Sequence, residues 1–497
     1  MRRRGPALHL ILLSLLPGAS ACYDGLRDGA RLDGEILMDV DPIGRTPMAA
    51  ELTLATTGPS TVELRLLGDP SSGFRTPEAS RHHVVPVVGL FPDTENRIEV
   101  TLSGEEGVFL VDTLVVNTPP LPDYLPRVEV STMDRAAMEP GWTLSTFAVR
   151  EGEGWRTVPF VFDVEGRIRW YMDLGDDGNL VLPLEPLENG RLVAGTGERV
   201  FEYDWMGRHV KRLRLEGYNI HHDIVETEDG DFVVAVDKDG LSTVEDFILV
   251  VDRSSGEIER EIDLRTMLDV DRRAVGGNDE DWVHVNSVWY DDRDGGIIVS
   301  GLFQGVFKIS PDDRVQWILA PHRDWGPAGV DGDGPDTASK LLTAVDASGA
   351  PYAAEVQDGA QRVEDFDWPW YQHAAMPTPV GSLLIFDNGV NRNFGSTAES
   401  YSRGVEYVID EEARTVRQIW SYGRERGAEY QSRFISDVDY LTESGNRMVM
   451  PGATNQASAW VTEVAPSGAV AYDAQIRFNT ENDGNIVYRS ERVSLPR

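Results

Sequence analysis

One unit recurs along most of this chain and narrows the folds open to it. A polar turn carrying glycine is followed by an apolar run: LENGRLVAG from Leu187, TEDGDFVVA from Thr227, DRDGGIIVS from Asp292, TPVGSLLIF from Thr378 and TESGNRMVM from Thr442. Short apolar runs bounded by Gly, Asp, Ser and Asn read as strands. EGRIRWYMDL, FILVVDRSSGEIEREIDL and VEYVIDEEARTVRQIWSYG supply further hairpin-like pieces between them. No segment sustains the 3.6-residue periodicity of a long helix. Four-strand units repeating around Gly190, Gly230, Gly295, Gly381 and Gly445 predict a β-propeller, and the length suits six blades.

Upstream, STVELRLLG, NRIEVTLSG and VFLVDTLVV are strand-like runs split by turn residues. They predict an Ig-like β-sandwich over residues 22–118. The proline-rich NTPPLPDYLP marks a linker over 119–130, which leaves 131–497 to the propeller. The expected fold class is therefore all-β: an N-terminal Ig-like β-sandwich followed by a six-bladed β-propeller.

Residues 1–21 read as an export signal: basic MRRR, apolar ALHLILLSLLPG, then small residues up to Cys22, the only cysteine. The segment resembles a bacterial lipoprotein signal, although Ala19 stands where Leu is usual. Lipidation at Cys22 is expected, with plain cleavage after Ala21 as the alternative. The chain is thus expected in the periplasm, or on the outer membrane or cell surface, touching membrane only through that anchor. A net charge of −37, from 46 basic and 83 acidic residues, argues against nucleic-acid partners.

The candidate chemistry lies in histidines. Of nine, His82, His83 and His209 read as solvated or interfacial. His373 lies eight residues before Gly381, His222 eight before Gly230 and Asp437 eight before Gly445. His284 lies eleven before Gly295, in a unit with a longer turn. Positions that recur in register across blades converge on a propeller axis. A cluster of His221, His222, His284 and His373 is open to three readings: a transition-metal site with Asp223 nearby, a hydrogen-bonded stiffener of the channel, or a nucleophilic and anion-binding site. The acidic VDGDGPD, with Asp331, Asp333 and Asp336, lacks a calcium loop's closing Glu and reads as a solvated loop.

HHDI, DWVHVNSVWYD, QGVFKI, YQHAAM followed by LLIFDNGVNR, SRGVEYVIDEEARTVRQIWSYG and VYRSERV resemble, in order, blocks of the bacterial PAPS-independent arylsulfate sulfotransferase family. The resemblance implies ping-pong transfer of a sulfuryl group from a phenolic sulfate ester to a phenolic acceptor, with neither cofactor nor metal. It implies His373 as the catalytic nucleophile, with His222, His221 and His284 gripping the sulfuryl oxygens and Asn286 as a further donor. Trp282, Trp368, Trp370 and Tyr371 are candidates to sandwich the aryl ring. One position departs: Leu302 stands where the family carries an arginine. Arg392 or Arg403 is then the substitute to look for, and a catalytically silent binding propeller is the alternative function. Homodimerisation is left open.

Overall fold

The computed structural model describes residues 29–69, 73–178, 180–395, 400–479 and 484–495. The expected export signal and Cys22 lie outside the described residues. The one α-helix among the described residues is the short turn Ala354–Gln357.

The N-terminal unit is organised by one long strand, Ala49–Leu66, whose burial alternates along its length. Its first half pairs with Leu37–Val40 on one side and Ser80–Val88 on the other. Its second half pairs with Phe74–Arg75 and Glu95–Gly104, and Gly107–Asn117 continues from there. One strand thus serves two sheets, which enclose Leu52, Leu54, Val62, Leu64, Val100 and Leu102. Ser80–Val88 is hard to see in the sequence because Pro86 interrupts it, and proline is confined to edge strands such as this one. His83 departs from expectation. It is buried, its Nε2 lies 3.0 Å from Ser60 Oγ, and burial lowers its pKa.

Six sheets follow as blades. Blade 1 holds Trp142–Glu151, Gly154–Phe162 and Ile168–Tyr171, completed on its inner side by the last strand of the chain, Ile486–Val493. Blades 2, 3 and 4 span Leu184–Arg214, Tyr218–Asp263 and Val285–Leu319. Blade 5 spans His373–Tyr422 and takes Thr343–Ala344 on its outer edge. Blade 6, Asp437–Arg477, is completed on its outer side by Arg127–Met133. The innermost strands of blades 3, 4, 5, 6, 1 and 2 touch in succession, and blade 2 meets the innermost strand of blade 3 through its second strand, Leu192–Thr196. Both ends of the propeller sequence are therefore locked into blades built from other parts of the chain. The linker is expected to reach residue 130. Instead, Arg127–Val130 is already strand, with Val128 and Val130 half-buried opposite Ile476 and Ala474.

The two units meet at Arg169, which is fully buried. Its guanidinium donates to Asp69 (2.7 Å) and Gly89 O (2.6 Å) of the sandwich and to Asp163 (3.0 Å) of blade 1. It lies over the rings of Phe91 and Trp142 at 3.6 and 4.8 Å. Removing one partner of a buried ion pair strands the others, at a cost of about 3–5 kcal/mol. Arg169→Met is expected to lower unfolding stability in urea by that order. A midpoint matching the parent would show that the joint contributes nothing.

Candidate functional site

The inner strand of each blade carries the side chains that face the channel, so register decides which of them meet. The equivalent base is the residue just before the one whose carbonyl accepts the turn glycine's N–H: Glu226 pairs with Phe232, Tyr290 with Ile297, Pro377 with Leu383 and Tyr440 with Arg447. Four residues before each base stand His222, Asn286, His373 and Ser436. His222 and His373 therefore correspond, as their spacing from the turn glycines implies. Asp437 does not, because the turn after Tyr440 is one residue longer than those after Glu226 and Pro377. A one-residue slip in a strand reverses the side chain. Asp437 accordingly lies in a carboxylate-lined cavity of about 360 Å³, among Glu185, Asp223, Asp439, Glu491 and Arg489. His284 stands two residues before Asn286, outside the repeat register.

The entries to these strands are irregular. The ladder slips between Ile220 and Ile224, between Val285 and Ser287, between His373 and Met376, and between Val487 and Ser490. His222, His284, Ala374 and Ile435 have φ of 54°, 53°, 50° and 51°. Such left-handed conformations cost non-glycine residues of order 1–3 kcal/mol each and cluster where function over-determines the backbone. Here the bulges turn histidines into the channel instead of along the pleat.

His373 is buried, and its neighbours fix its tautomer. Asn388 donates from Nδ2 to the carbonyls of Ser432 and Ile435, both at 2.9 Å. Its Oδ1 therefore faces His373 Nδ1, at 2.8 Å, and can only accept. The proton is thus on Nδ1, and the Nε2 lone pair takes the Ile435 N–H at 3.1 Å. Burial, opposed by the Asn388 bond and reinforced by the charge of His284, lowers the ring pKa to about 3. His373 is a neutral imidazole with a directed lone pair. Its chain neighbour Gln372 is clamped by blade 4: Asn286 Nδ2 donates to Gln372 O (2.8 Å), and Gln372 Nε2 donates to Gly301 O (2.8 Å).

Three other histidines form a cluster of their own, near enough to His373 for His222 and His284 to share its electrostatics. The His222 ring lies 5.1 Å from those of both His221 and His284. His221 and His222 share one N–H···N bond between their Nδ1 atoms at 3.0 Å. Burial lowers the pKa of His221 to about 3 and that of His222 well below the usual range. His284 is the opposite case. Burial disfavours its charge, but Asp281 (2.9 Å) and Glu245 (2.6 Å) on Nδ1 overcome this and raise its pKa to about 9. Two triads bring ligand atoms within 4.8 Å of one another, His221–His222–Glu245 and Glu245–Asp281–His284, and these are the residues that could hold a cation. The second triad already holds a proton between its carboxylates.

Several expected roles move. Asn286 uses its amide on Gln372 and so positions His373. Arg392 is not at the cluster's service: its guanidinium is buried on Asp367, Asp387 and the Tyr401 carbonyl. Arg403 is held by Asp387, Gln418 and the Asp367 carbonyl. Asp223 bonds to Arg489 (2.8 Å) and to the Val288 N–H (2.8 Å). Trp282, Trp368 and Trp370 are core residues with their indole N–H groups on Asp246, Val356 O and Asp367. His209, expected exposed, packs on Phe201 and Tyr203 with Nε2 2.9 Å from Asp177. Leu302 donates its N–H to His284 O at 2.9 Å, so the backbone there supports the site while the side chain adds no charge. The residues sequence reasoning passed over are Asn388, Glu245, Asp281, Phe303 and the Ser432–Ser436 turn. DNG after an apolar strand signals a turn, and nothing in it marks Asn388 as a tautomer lock. Phe303 packs edge-on against both His284 and Tyr371, at 5.8 and 5.4 Å.

An Ig-like domain is thus joined to six propeller blades that bring together a buried neutral histidine, His373, and an imidazolium, His284. Residues 127–489 match the arylsulfotransferase (ASST) family, and residues 37–119 match the arylsulfotransferase Ig-like domain. The chain belongs to the arylsulfotransferase family. It is 28% identical to an arylsulfate sulfotransferase AssT of Escherichia coli O6:H1 strain CFT073, over 81% of this chain and 82% of that one. It is also 28% identical to the AssT of Lelliottia amnigena, over 84% of each. Among solved structures, a protein of unknown function from Bacteroides caccae overlaps at 11% identity and a TM-score of 0.32, over 73% of this chain and 94% of that one.

Proposed function

We propose that this protein transfers a sulfuryl group between phenols through a sulfohistidine at His373. The observation that carries the reading is the fixed tautomer: Asn388 holds the proton on Nδ1 and leaves Nε2 as the nucleophile. A phenolic sulfate donates its SO₃ group to Nε2. The bond from sulfur to the aryl oxygen breaks as the N–S bond forms, and phenolate departs with the electron pair. A second phenol, as phenolate, attacks the same sulfur and restores His373. A phenol with a pKa near 10 is an adequate leaving group in both directions. Attack costs Nε2 its bond from the Ile435 N–H, a net loss of about 1 kcal/mol. That N–H then lies beside the new sulfuryl oxygens as a donor. His284, charged and pinned through Nδ1, keeps its Nε2–H free of the two carboxylates, and in this reading that N–H donates to the same group.

An exported, lipid-anchored location is part of the proposal and rests on the N-terminal segment alone. The test is to mix the protein with 4-nitrophenyl sulfate and no acceptor, then seek one added sulfuryl group by intact and peptide mass spectrometry. The adduct is expected on the peptide holding His373. If a panel of aryl sulfates gives neither adduct nor phenol release between about pH 6 and 9, where His373 is neutral, the binding-propeller reading replaces this one.

A further inference from the structure

The charges of this site do not add up to a receptor for a sulfate ester. His284 is one cation between two carboxylates, Glu245 and Asp281. Arg489 is likewise set against Glu185 and Asp223. Leu302 contributes none, and Arg392 and Arg403 are committed elsewhere. An anion approaching His373 therefore needs a cation from another element.

The turn that caps His373 carries one. Ser432–Ser436 is fixed at its base by several bonds. Asn388 donates to Ser432 O and Ile435 O, Ser402 Oγ donates to Ser432 O (3.0 Å), and Ser402 Oγ accepts the Ser432 N–H (2.9 Å). Ser436 Oγ closes on Ser432 Oγ at 2.9 Å, and Ile435 N–H sits on His373 Nε2. The backbone is strained as well, with φ of 51° at Ile435 and 98° at Ser436. At the top of this rigid base two side chains project outward. Arg433 is exposed, and Phe434 is 51% exposed. No ion pair or hydrogen bond holds the Arg433 guanidinium among the described residues. Its charge is felt by the Tyr371 hydroxyl, whose ring meets Phe303 beside His284. A large apolar ring and an uncommitted arginine, side by side two and one residues from the amide that caps the nucleophile, match the two halves of an aryl sulfate.

We propose that Arg433 and Phe434 form the donor-binding element of this chain, Arg433 taking the sulfate charge and Phe434 taking the aryl ring. The proposal rests on the sulfuryl-transfer reading for its ligand class but not for its test. Chemistry is removed with His373→Ala, and equilibrium binding of 4-nitrophenyl sulfate is compared with that of uncharged 4-nitrobenzyl alcohol. In that background Arg433→Gln is expected to weaken binding of the sulfate ester about tenfold, as loss of one exposed charge-assisted bond does, and to leave the alcohol unaffected. Arg433→Lys should recover most of the loss. Phe434→Ala should weaken both ligands. Arg433 is exposed, so thermal stability should not move. If Arg433→Gln weakens both ligands equally, or neither, the proposal is overturned, whatever the parent protein does catalytically. If the parent turns over no aryl sulfate yet shows the charge-selective loss, the binding element stands and the transfer reading fails alone.

Discussion

His373→Ala is expected to lower kcat/KM with 4-nitrophenyl sulfate by at least about 10⁴-fold and to abolish the protein-bound sulfuryl group, as loss of a covalent nucleophile does. The size follows from the lack of an alternative. His221 and His222 are also neutral, but their Nδ1 atoms are tied to each other, which leaves neither Nδ1 as a free lone pair. His284 holds its spare proton and has no lone pair to offer below about pH 9. The variant should fold. Asn388 keeps its Nδ2 bonds to Ser432 and Ile435, while two buried atoms lose their partner, Asn388 Oδ1 and the Ile435 N–H. Each such orphan costs about 1–3 kcal/mol, so about 2–6 kcal/mol bounds the loss. A drop in rate without loss of the urea midpoint beyond that range separates chemistry from collapse. Phenol release that persists at the parent's rate in His373→Ala, or an adduct that moves to another peptide, would remove His373 from the mechanism.

The sequence shows the blades, because each carries a glycine turn followed by an apolar strand, and glycine occupies the left-handed turn position at Gly190, Gly230, Gly295, Gly381 and Gly445. It also shows that His222 and His373 correspond. What it hides is register through irregular backbone. Turns of unequal length move Asp437 one residue out of step and put Ser436 in its place. Bulges at Ile220–Ile224 and His373–Met376 decide which way a side chain faces, and bulges have no strong residue signature. Glu245, from the loop before a blade 3 strand, and Asp281, from the loop before blade 4, meet at His284 although separated by the strands between them. Such long-range pairs leave no local pattern. The tryptophans illustrate the converse. Their clustering suggests a binding face, yet the apolar demand of blades 4 and 5 takes Trp282, Trp368 and Trp370 into the core.

The second large effect concerns the proton on His284. Its two carboxylates bind Nδ1, so the proton lost on titration is the one on Nε2. Loss of that proton converts Nε2, the proposed donor to the sulfuryl oxygens, from donor to acceptor. The donor half-reaction should therefore hold level through neutral pH and fall with an apparent pKa near 9. His284→Gln should lower the rate by about 10²–10³-fold, the usual cost of one oxyanion donor, and should erase the alkaline limb because glutamine does not titrate there. Stability carries the same proton with a definite sign. The folded pKa of His284 exceeds the unfolded value of about 6.5, so its contribution is complete below 6.5 and fades as pH rises through about 9. His221 and His373 behave oppositely, since their folded values of about 3 lie below 6.5: their contribution is present above 6.5 and is lost as pH falls toward 3. The pH dependence of the urea midpoint in His284→Gln, set against the parent, isolates the first term. An alkaline limb that survives intact in His284→Gln would assign it to another group and leave His284 without the donor role.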